Sequence, residues 1–206
     1  MARISFTNKG LLLALILSCL NIAACTKSPL QVEYHYLSVE AKQSSIKTAA
    51  PSPLLIGPVQ TSVFLNQGPI VKQHSSHSAD LLEQHQWAGN LDEMLSQVLT
   101  QNLINTLGSE EVYPYPENSS NSGIRLSVNF FHFEENSDGK AYLEARWKII
   151  SNKDQTILYS SSSKQSRILA GSDSDALAKA LSFCVTELSG EIVQAIKQLP
   201  SSQEIQ

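Results

Sequence analysis

The chain has 206 residues, with 15 basic and 19 acidic side chains and a formal net charge of −4. Two basic and no acidic residues lie in residues 1–24, so residues 25–206 carry a net charge of −6 (13 basic minus 19 acidic). This balance argues against nucleic-acid binding, which needs basic side chains to neutralise phosphates. The remaining length, about 182 residues, is enough for one domain with an apolar core.

Residues 1–24 have the pattern of a secretory signal peptide. Arg3 and Lys9 precede an apolar run over residues 11–20 that only Ser18 interrupts. This run is too short for a permanent transmembrane helix, which needs about 20 residues. Basic residues before a short apolar run, with small residues after it, are typical of a cleaved signal.

The residues that follow the apolar run predict where the signal is cut. Ile22-Ala23-Ala24-Cys25 resembles the lipobox of bacterial lipoproteins, in which an aliphatic and two small residues precede a cysteine. The resemblance implies cleavage between Ala24 and Cys25, a diacylglyceryl group on the Cys25 thiol and acylation of the freed amine. Several acyl chains on one residue anchor a protein lastingly, whereas one chain does so only marginally. The alternative is an ordinary signal with a chance cysteine.

Residues 25–32 are then the lipid anchor and a short tether. Thr26 stands where an Asp usually signals retention in the inner membrane of Gram-negative bacteria. We therefore expect the anchor in the inner leaflet of the outer membrane, with the domain facing the periplasm. Cys19 leaves with the signal and Cys25 carries lipid, so Cys184 has no partner for an intramolecular disulfide.

Strand patterns come first in the mature chain. Aromatic and β-branched residues at 31–39 and 54–64 predict two strands, and Gly57-Pro58 places the second at a sheet edge or a bulge. A polar loop over 42–53 separates them. A turn at 67–69, an extended piece from 70–71, a polar loop over 74–80 and a short strand at 81–83 follow.

The first helix is predicted over about 89–107, because apolar residues recur there at three- and four-residue spacing. Asn90 is the N-cap candidate, with Glu93 three residues on, and Gly108 is the predicted terminator. Alternating patterns and turn residues then predict a short strand at 112–113, a loop at 117–122, strands at 124–130, 141–149 and 156–168, and turns at 137–139 and 152–155.

A long second helix follows a cap at Ser172 or Asp173 and ends before Pro200. The order of elements predicts an α/β or α+β sandwich of two or three layers, in which two amphipathic helices pack on a mixed β-sheet. Residues 33–200 are expected to form a single domain, and 201–206 a disordered tail.

Motifs for catalysis or cofactor binding are absent from the sequence. It contains no Gly-x-Ser-x-Gly nucleophile elbow and no glycine-rich phosphate loop. His74 and His77, with Asp80 and His85 nearby, form the one metal-like group, and their spacing matches no zinc pattern. We expect them to be solvated, and we predict no metal, no cofactor and no catalytic residue.

Other polar and aromatic residues have structural explanations. His35 and His132 lie on predicted strands beside aromatic residues, which predicts sheet packing, and Trp87 is expected to pack at the start of the first helix. Cys184 lies on the apolar stripe of the second helix, which predicts a buried thiol. A cluster at the predicted hairpin tip, expected to be a solvated turn rather than a calcium site, contains Glu134, Glu135 and Asp138.

An ordered set of short segments resembles the ABC-type transport auxiliary lipoproteins related to paraquat-inducible protein C. The segments span nearly the whole mature chain: 34–37 (YHYL), 57–59 (GPV), 64–67 (FLNQ) with 70–71 (IV), 87–88 (WA), 99–103 (LTQNL), 131–133 (FHF), 138–140 (DGK), Trp147 and 192–200 (IVQAIKQLP). The chain departs from the family near Ser62, where the family usually has Pro, and at 83–86, which affects the expected partner surface around 62–86.

The resemblance implies a non-enzymatic role. Such lipoproteins serve transport systems with MCE-domain proteins, which move lipids or other hydrophobic molecules between the two membranes. It implies contact with the periplasm-spanning component, self-assembly, and an α/β sandwich similar to anticodon-binding domains and to the N-terminal domain of the translocation protein TolB. The alternatives are a lipoprotein that supports assembly of an outer-membrane β-barrel and a periplasmic enzyme, which would need a polar cleft.

Overall fold

The structure is a computed structural model that describes residues 31–40, 53–116 and 122–199. The signal peptide 1–24, Ala24, Cys25, most of the loops predicted at 42–53 and 117–122, Pro200 and the tail 201–206 lie outside the described residues. Among those described, no helix is long and apolar enough to cross a membrane. The described elements are the strands β1 Glu33–His35, β2 Leu54–Thr61, β3 Pro69–Ser75, β4 Ser78–Trp87, β5 Val112–Pro114, β6 Ile124–Glu135, β7 Lys140–Ser151 and β8 Ile157–Ile168, the helices α1 Leu91–Leu107 and α2 Ser174–Gln198, and a 3-10 turn Leu65–Gln67.

The strands form one mixed sheet that branches at β6. On one side β6 pairs antiparallel with β7, and β7 pairs antiparallel with β8. On the other side β6 pairs in parallel with β2, and near its end with β3 through Lys72 and Glu135. Strand β2 then pairs in parallel with β5, while β3 pairs antiparallel with β4 and β4 in parallel with β1.

Both helices begin and end where their sequences predict caps. The Asn90 side chain accepts a hydrogen bond from the Glu93 N–H, and Gly108 closes α1 in the left-handed conformation with φ 64°. Asp173 caps α2 by accepting from the Ala176 N–H at 2.8 Å. Helix α1 begins at Leu91 rather than at about residue 89, because Asn90, with ψ 124°, is its non-helical N-cap.

The core lies between the helices and one face of the sheet. Helix α1 packs on β2 and β5, α2 packs on β6, β7 and β8, and the helices contact each other. Alternate residues of β6 and β7, including Leu126, Val128, Phe130 and Ile149, are buried on this face. Burial of each such side chain contributes about 1.5–3 kcal/mol. The mixed α/β fold expected from the sequence is therefore confirmed, and of the two or three layers left open it has two.

The strand bounds differ from the prediction in the segment before α1. Residues 74–80 were predicted as a loop, yet β3 runs to Ser75 and β4 starts at Ser78, so His77 lies in a tight hairpin turn. Side chains on both faces of this end of the hairpin are exposed, so the sequence shows no alternation of apolar residues that would predict strands there. The strands are paired through their backbones. Strand β1 is shorter than the strand predicted over residues 31–39. In β2, the register shifts between Ile56 and Val59, at the position where Gly57-Pro58 predicts a sheet edge or a bulge.

Candidate functional site

A groove of about 550 Å³ opens on the sheet face away from the helices. Its walls are formed by the loop after β2, the β3–β4 hairpin and the end of β6. The lining residues are Ser62, Phe64, Leu65, Val71, Gln73, residues 75–79, Phe131, His132 and Glu134. We call it the hairpin groove. The part of its lining between residues 62 and 79 belongs to the expected partner surface around 62–86.

Exposed apolar side chains surround the hairpin groove. Val63 is 86% exposed, Phe64 42% and Phe131 45%. Phe131 follows the buried Phe130 and takes the outward position of the regular alternation, next to a bulge: Phe130 pairs with Ala145 and the next paired residue is His132. The bulge shifts the alternation by one residue, so that Phe133 rather than His132 is buried. Clustered exposed aromatic residues are typical of surfaces that contact other molecules.

The loop that carries Val63 and Phe64 is held by hydrogen bonds at both ends. Asp92, in the first turn of α1, accepts from the Thr61 N–H and from the Thr61 hydroxyl, each at 2.7 Å. At the other end, the Asn66 side chain accepts from the Leu91 N–H at 3.0 Å. The exposed side chains of Val63 and Phe64 are therefore presented by a loop that is fixed at both ends.

Glu134 is buried, which corrects the prediction of a solvated turn at this position. Strand β6 continues to Glu135, five residues beyond its predicted end at Phe130, so Glu134 lies on the sheet rather than at the hairpin tip. Its carboxylate contacts His132 Nδ1 at 2.6 Å and accepts from the Phe133 N–H. A buried carboxylate needs such partners to offset its lost hydration.

The other acidic residues predicted at the hairpin tip lie in different surroundings. Glu135 forms an ion pair with Lys72 at 2.8 Å, and Asp138 is exposed in the turn. The ring of His132 lies 5.5 Å from that of Tyr142, which agrees with the sheet packing expected for it. These acidic groups therefore have separate partners and do not converge on one point.

Tyr142 and Glu144 on β7 and Lys164 on β8 form a separate group of interacting polar side chains. The Tyr142 hydroxyl donates to Glu144 at 2.8 Å, and Lys164 lies 3.1 Å from the same carboxylate. The hydrogen bond from Tyr142, reinforced by Lys164, lowers the pKa of Glu144. Glu144 in turn raises the pKa of Lys164, and burial together with Glu144 raises that of Tyr142.

The histidines of the β3–β4 hairpin lie apart from His85. His74 contacts Asp80 at 3.2 Å on the exposed hairpin, and His77 lies in the hairpin turn. His85 lies near the other end of β4, where its Nδ1 atom is 3.2 Å from Nε2 of His35. His74, His77 and Asp80 are exposed, as expected from the sequence, and the ten-residue strand β4 separates them from His85.

The buried His35 is the centre of a different cluster. Its Nδ1 atom lies 2.8 Å from Asp175 Oδ1, in the first turn of α2. The Nδ1 atom of His85 also lies 3.4 Å from Glu33 Oε2. His35 was expected only to pack in the sheet; no sequence signal shows that residues 50 and 140 positions away contact it.

Comparison with known protein families assigns the chain to a family. The family model of the ABC-type transport auxiliary lipoprotein component matches residues 35–193. The chain belongs to this family. The resemblance drawn from the sequence segments is thereby confirmed, and a transport-related, non-enzymatic role fits the family. Comparison with curated proteins gives no match.

Two solved structures have a similar fold at low sequence identity. A protein from Xanthomonas campestris of the family DUF330 has a TM-score of 0.69 at 17% identity, covering 79% of this chain and 93% of its own. An uncharacterised protein has a TM-score of 0.67 at 18% identity, covering 81% and 99%. The PelC dodecamer from Paraburkholderia phytofirmans has a TM-score of 0.45 at 13% identity, covering 75% and 95%; this is too low to transfer its assembly.

Two residues singled out in this auxiliary lipoprotein are structural. Trp87 is buried, with its ring 5.8 Å from that of Phe133, so packing rather than ligand binding accounts for it. Cys184 is fully buried in α2, and burial raises the pKa of its thiol to about 12. The prediction of a buried, packing thiol is confirmed.

Proposed function

We propose that this chain is an outer-membrane lipoprotein that serves as a non-enzymatic auxiliary component of an ABC/MCE-type intermembrane lipid transport system and so contributes to envelope integrity. The match of the auxiliary lipoprotein family over residues 35–193 carries the proposal. The lipobox that ends in Cys25 supports the proposal, because members of a lipoprotein family need a cysteine that can carry the lipid anchor.

The anchor limits where the domain works. Signal residues 1–24 are removed, and Cys25 carries the lipid in the inner leaflet of the outer membrane. The tether 26–32 has seven residues, which span at most about 25 Å when fully extended. The domain therefore stays beside the periplasmic surface of the outer membrane, where the periplasm-spanning MCE-domain component must arrive.

The hairpin groove is the surface we assign to that component. Exposed aromatic side chains at the edge of a groove are enriched at protein interfaces and often contribute much of the binding energy. Phe64 and Phe131 are half exposed, and the Arg146 guanidinium lies 5.2 Å from the Phe131 ring, which leaves both apolar and charged groups available to a polypeptide. The occupant is a segment of the MCE-domain protein rather than free lipid.

Lipidation is tested by metabolic labelling. The chain should incorporate labelled palmitate, and Cys25→Ala should abolish the label because the thiol that receives the diacylglyceryl group is gone. The matched control is Cys184→Ala, which removes the buried thiol and should leave labelling unchanged. Persistent labelling of Cys25→Ala contradicts the anchor.

Docking is tested by co-purification from mildly detergent-solubilised envelopes. Phe64→Ser and Phe131→Ser should each reduce recovery of the MCE-domain protein at least about tenfold, the effect of truncating a binding hot spot. Ile157→Ser is the control, because Ile157 is 59% exposed on β8 and is not part of the groove. Equal loss in all three variants, or recovery of a β-barrel protein instead, contradicts the assignment. Loss of bound lipid with the MCE-domain protein retained would assign the groove to cargo.

A further inference from the structure

We propose that Glu33, His35 and His85 form a binding site for a divalent transition metal ion, with zinc as the fitting ion and Asp175 as the group that positions His35. The site lies where β1, the end of β4 and the first turn of α2 meet. It is separate from the hairpin groove and does not rest on the proposed function.

The strand register explains why these side chains share one face. Strand β1 pairs in parallel with β4, and Glu33 lies opposite His85. Directly paired residues project to the same side of a sheet. His35 is two residues after Glu33 and therefore projects to that side as well. The backbone thus presents one carboxylate and two imidazoles together without any insertion or loop.

The distances fit a small tetrahedral ion. Nε2 of His35 and Nδ1 of His85 are 3.2 Å apart, and Nδ1 of His85 is 3.4 Å from Glu33 Oε2. Ligands about 2.0–2.1 Å from zinc are about 3.3 Å from one another in a tetrahedron. The third pair of ligand atoms lies within 4.8 Å. The Glu33 side chain is 63% exposed, so it is free to close that distance.

Asp175 completes the arrangement around His35. Its carboxylate lies 2.8 Å from His35 Nδ1, so it accepts that N–H and leaves the Nε2 lone pair directed at His85 and Glu33. A carboxylate behind a metal-bound histidine fixes the tautomer and the ring orientation in this way. His35 itself is only 4% exposed, so its position is set by packing as well.

Hydrogen bonding alone leaves the three groups poorly matched. With His35 Nε2 as an acceptor, the single proton of His85 Nδ1 faces two acceptors, His35 and Glu33, at 3.2 and 3.4 Å. A metal ion accepts one lone pair from each group and removes this competition. Two imidazoles and one carboxylate suit zinc, and the carboxylates of Glu33 and Asp175 balance its two positive charges. Three protein ligands leave one position for water or for a group from a partner.

Bound metal would have a structural consequence. Strand β1 is the first described element of the domain and has only three residues. A metal ion held by Glu33, His35 and His85 would link this strand to β4, and Asp175 would link it to α2. The segment that leads from the predicted tether would then be fixed to the domain.

Zinc titration of the full lipidated chain tests the site. The chain is purified in detergent without a histidine tag, stripped with a chelator and titrated calorimetrically with Zn²⁺. One ion per chain should bind at micromolar or tighter affinity. His85→Ala and Glu33→Gln, both near the surface, should weaken binding at least about tenfold, and Asp175→Asn about 10–100-fold. Circular dichroism confirms that each variant is folded, which matters most for the buried His35→Ala.

The exposed hairpin histidines provide the matched control. His74→Ala and His77→Ala remove imidazoles that are not part of the cluster, and they should leave zinc binding unchanged. Co²⁺ in place of Zn²⁺ should give the intense visible absorption of a tetrahedral site, and His85→Ala should remove it. Absence of binding at 100 µM Zn²⁺, or binding that is lost in the hairpin variants and retained in His85→Ala, would overturn the proposal.

Discussion

Replacing Asp92 by Ala tests whether helix α1 holds the loop that borders the hairpin groove. Asp92 Oδ1 accepts two hydrogen bonds from Thr61, both at 2.7 Å, and Asp92 lies in the first turn of α1. The site is partly exposed, so each bond contributes about 1 kcal/mol, and the charge at the helix N-terminus adds about 0.5 kcal/mol. The free energy of unfolding should fall by about 2–3 kcal/mol.

Equilibrium unfolding in urea measures this change. Asp92→Asn keeps an oxygen acceptor and loses only the charge, so it should cost about 1 kcal/mol or less. Thr61→Val removes one of the two donors and should fall between the two Asp92 variants. Because the same loop carries Phe64, Asp92→Ala should also weaken recovery of the proposed MCE-domain partner. A change below about 0.5 kcal/mol for Asp92→Ala would refute this account of the loop.

Three further predictions concern the domain itself. Cys184 should resist a maleimide reagent at pH 8, where a pKa of about 12 leaves about one thiol in ten thousand ionised, and should react at once in denaturant. Leu99→Ala should cost about 2–5 kcal/mol in urea unfolding, since Leu99 is fully buried in α1. Tyr142→Phe should cost about 1 kcal/mol at pH 7. Folding lowers the pKa of Glu144. The stability that this carboxylate contributes is therefore present above its unfolded-state pKa and is lost as pH falls through its folded-state pKa. The urea unfolding curves of Tyr142→Phe and of the parent chain should therefore converge in acid.

The sequence predicted the helices and the central strands well, because local patterns determine them. Asn90 and Gly108 cap α1 as expected, and the alternation of apolar residues along β6 and β7 matches their buried face. The turn at Gly139, with φ 72°, also follows from a residue that tolerates that conformation. The two-layer arrangement follows from these elements, since each has one apolar face.

The candidate sites could not be predicted in the same way. Glu134 lies on the sheet because β6 runs past Phe130 to Glu135, and the bulge at Phe131 breaks the two-residue alternation from which the strand was predicted. The His35 cluster depends on the parallel pairing of β1 with β4 and on the position of α2, which bring together residues far apart in sequence. Long-range pairing of this kind is set by the whole sheet, not by local sequence.

The most direct test of the central claim is photocrosslinking in intact cells that express the lipidated chain. A photoreactive amino acid at position 64, beside the hairpin groove, should give one adduct that contains the periplasm-spanning MCE-domain protein, and the same probe at position 157 should not. Fractionation should place that adduct with the outer membrane, and Cys25→Ala should abolish it. Adducts only with a β-barrel protein, or equal adducts from both positions, would contradict the account.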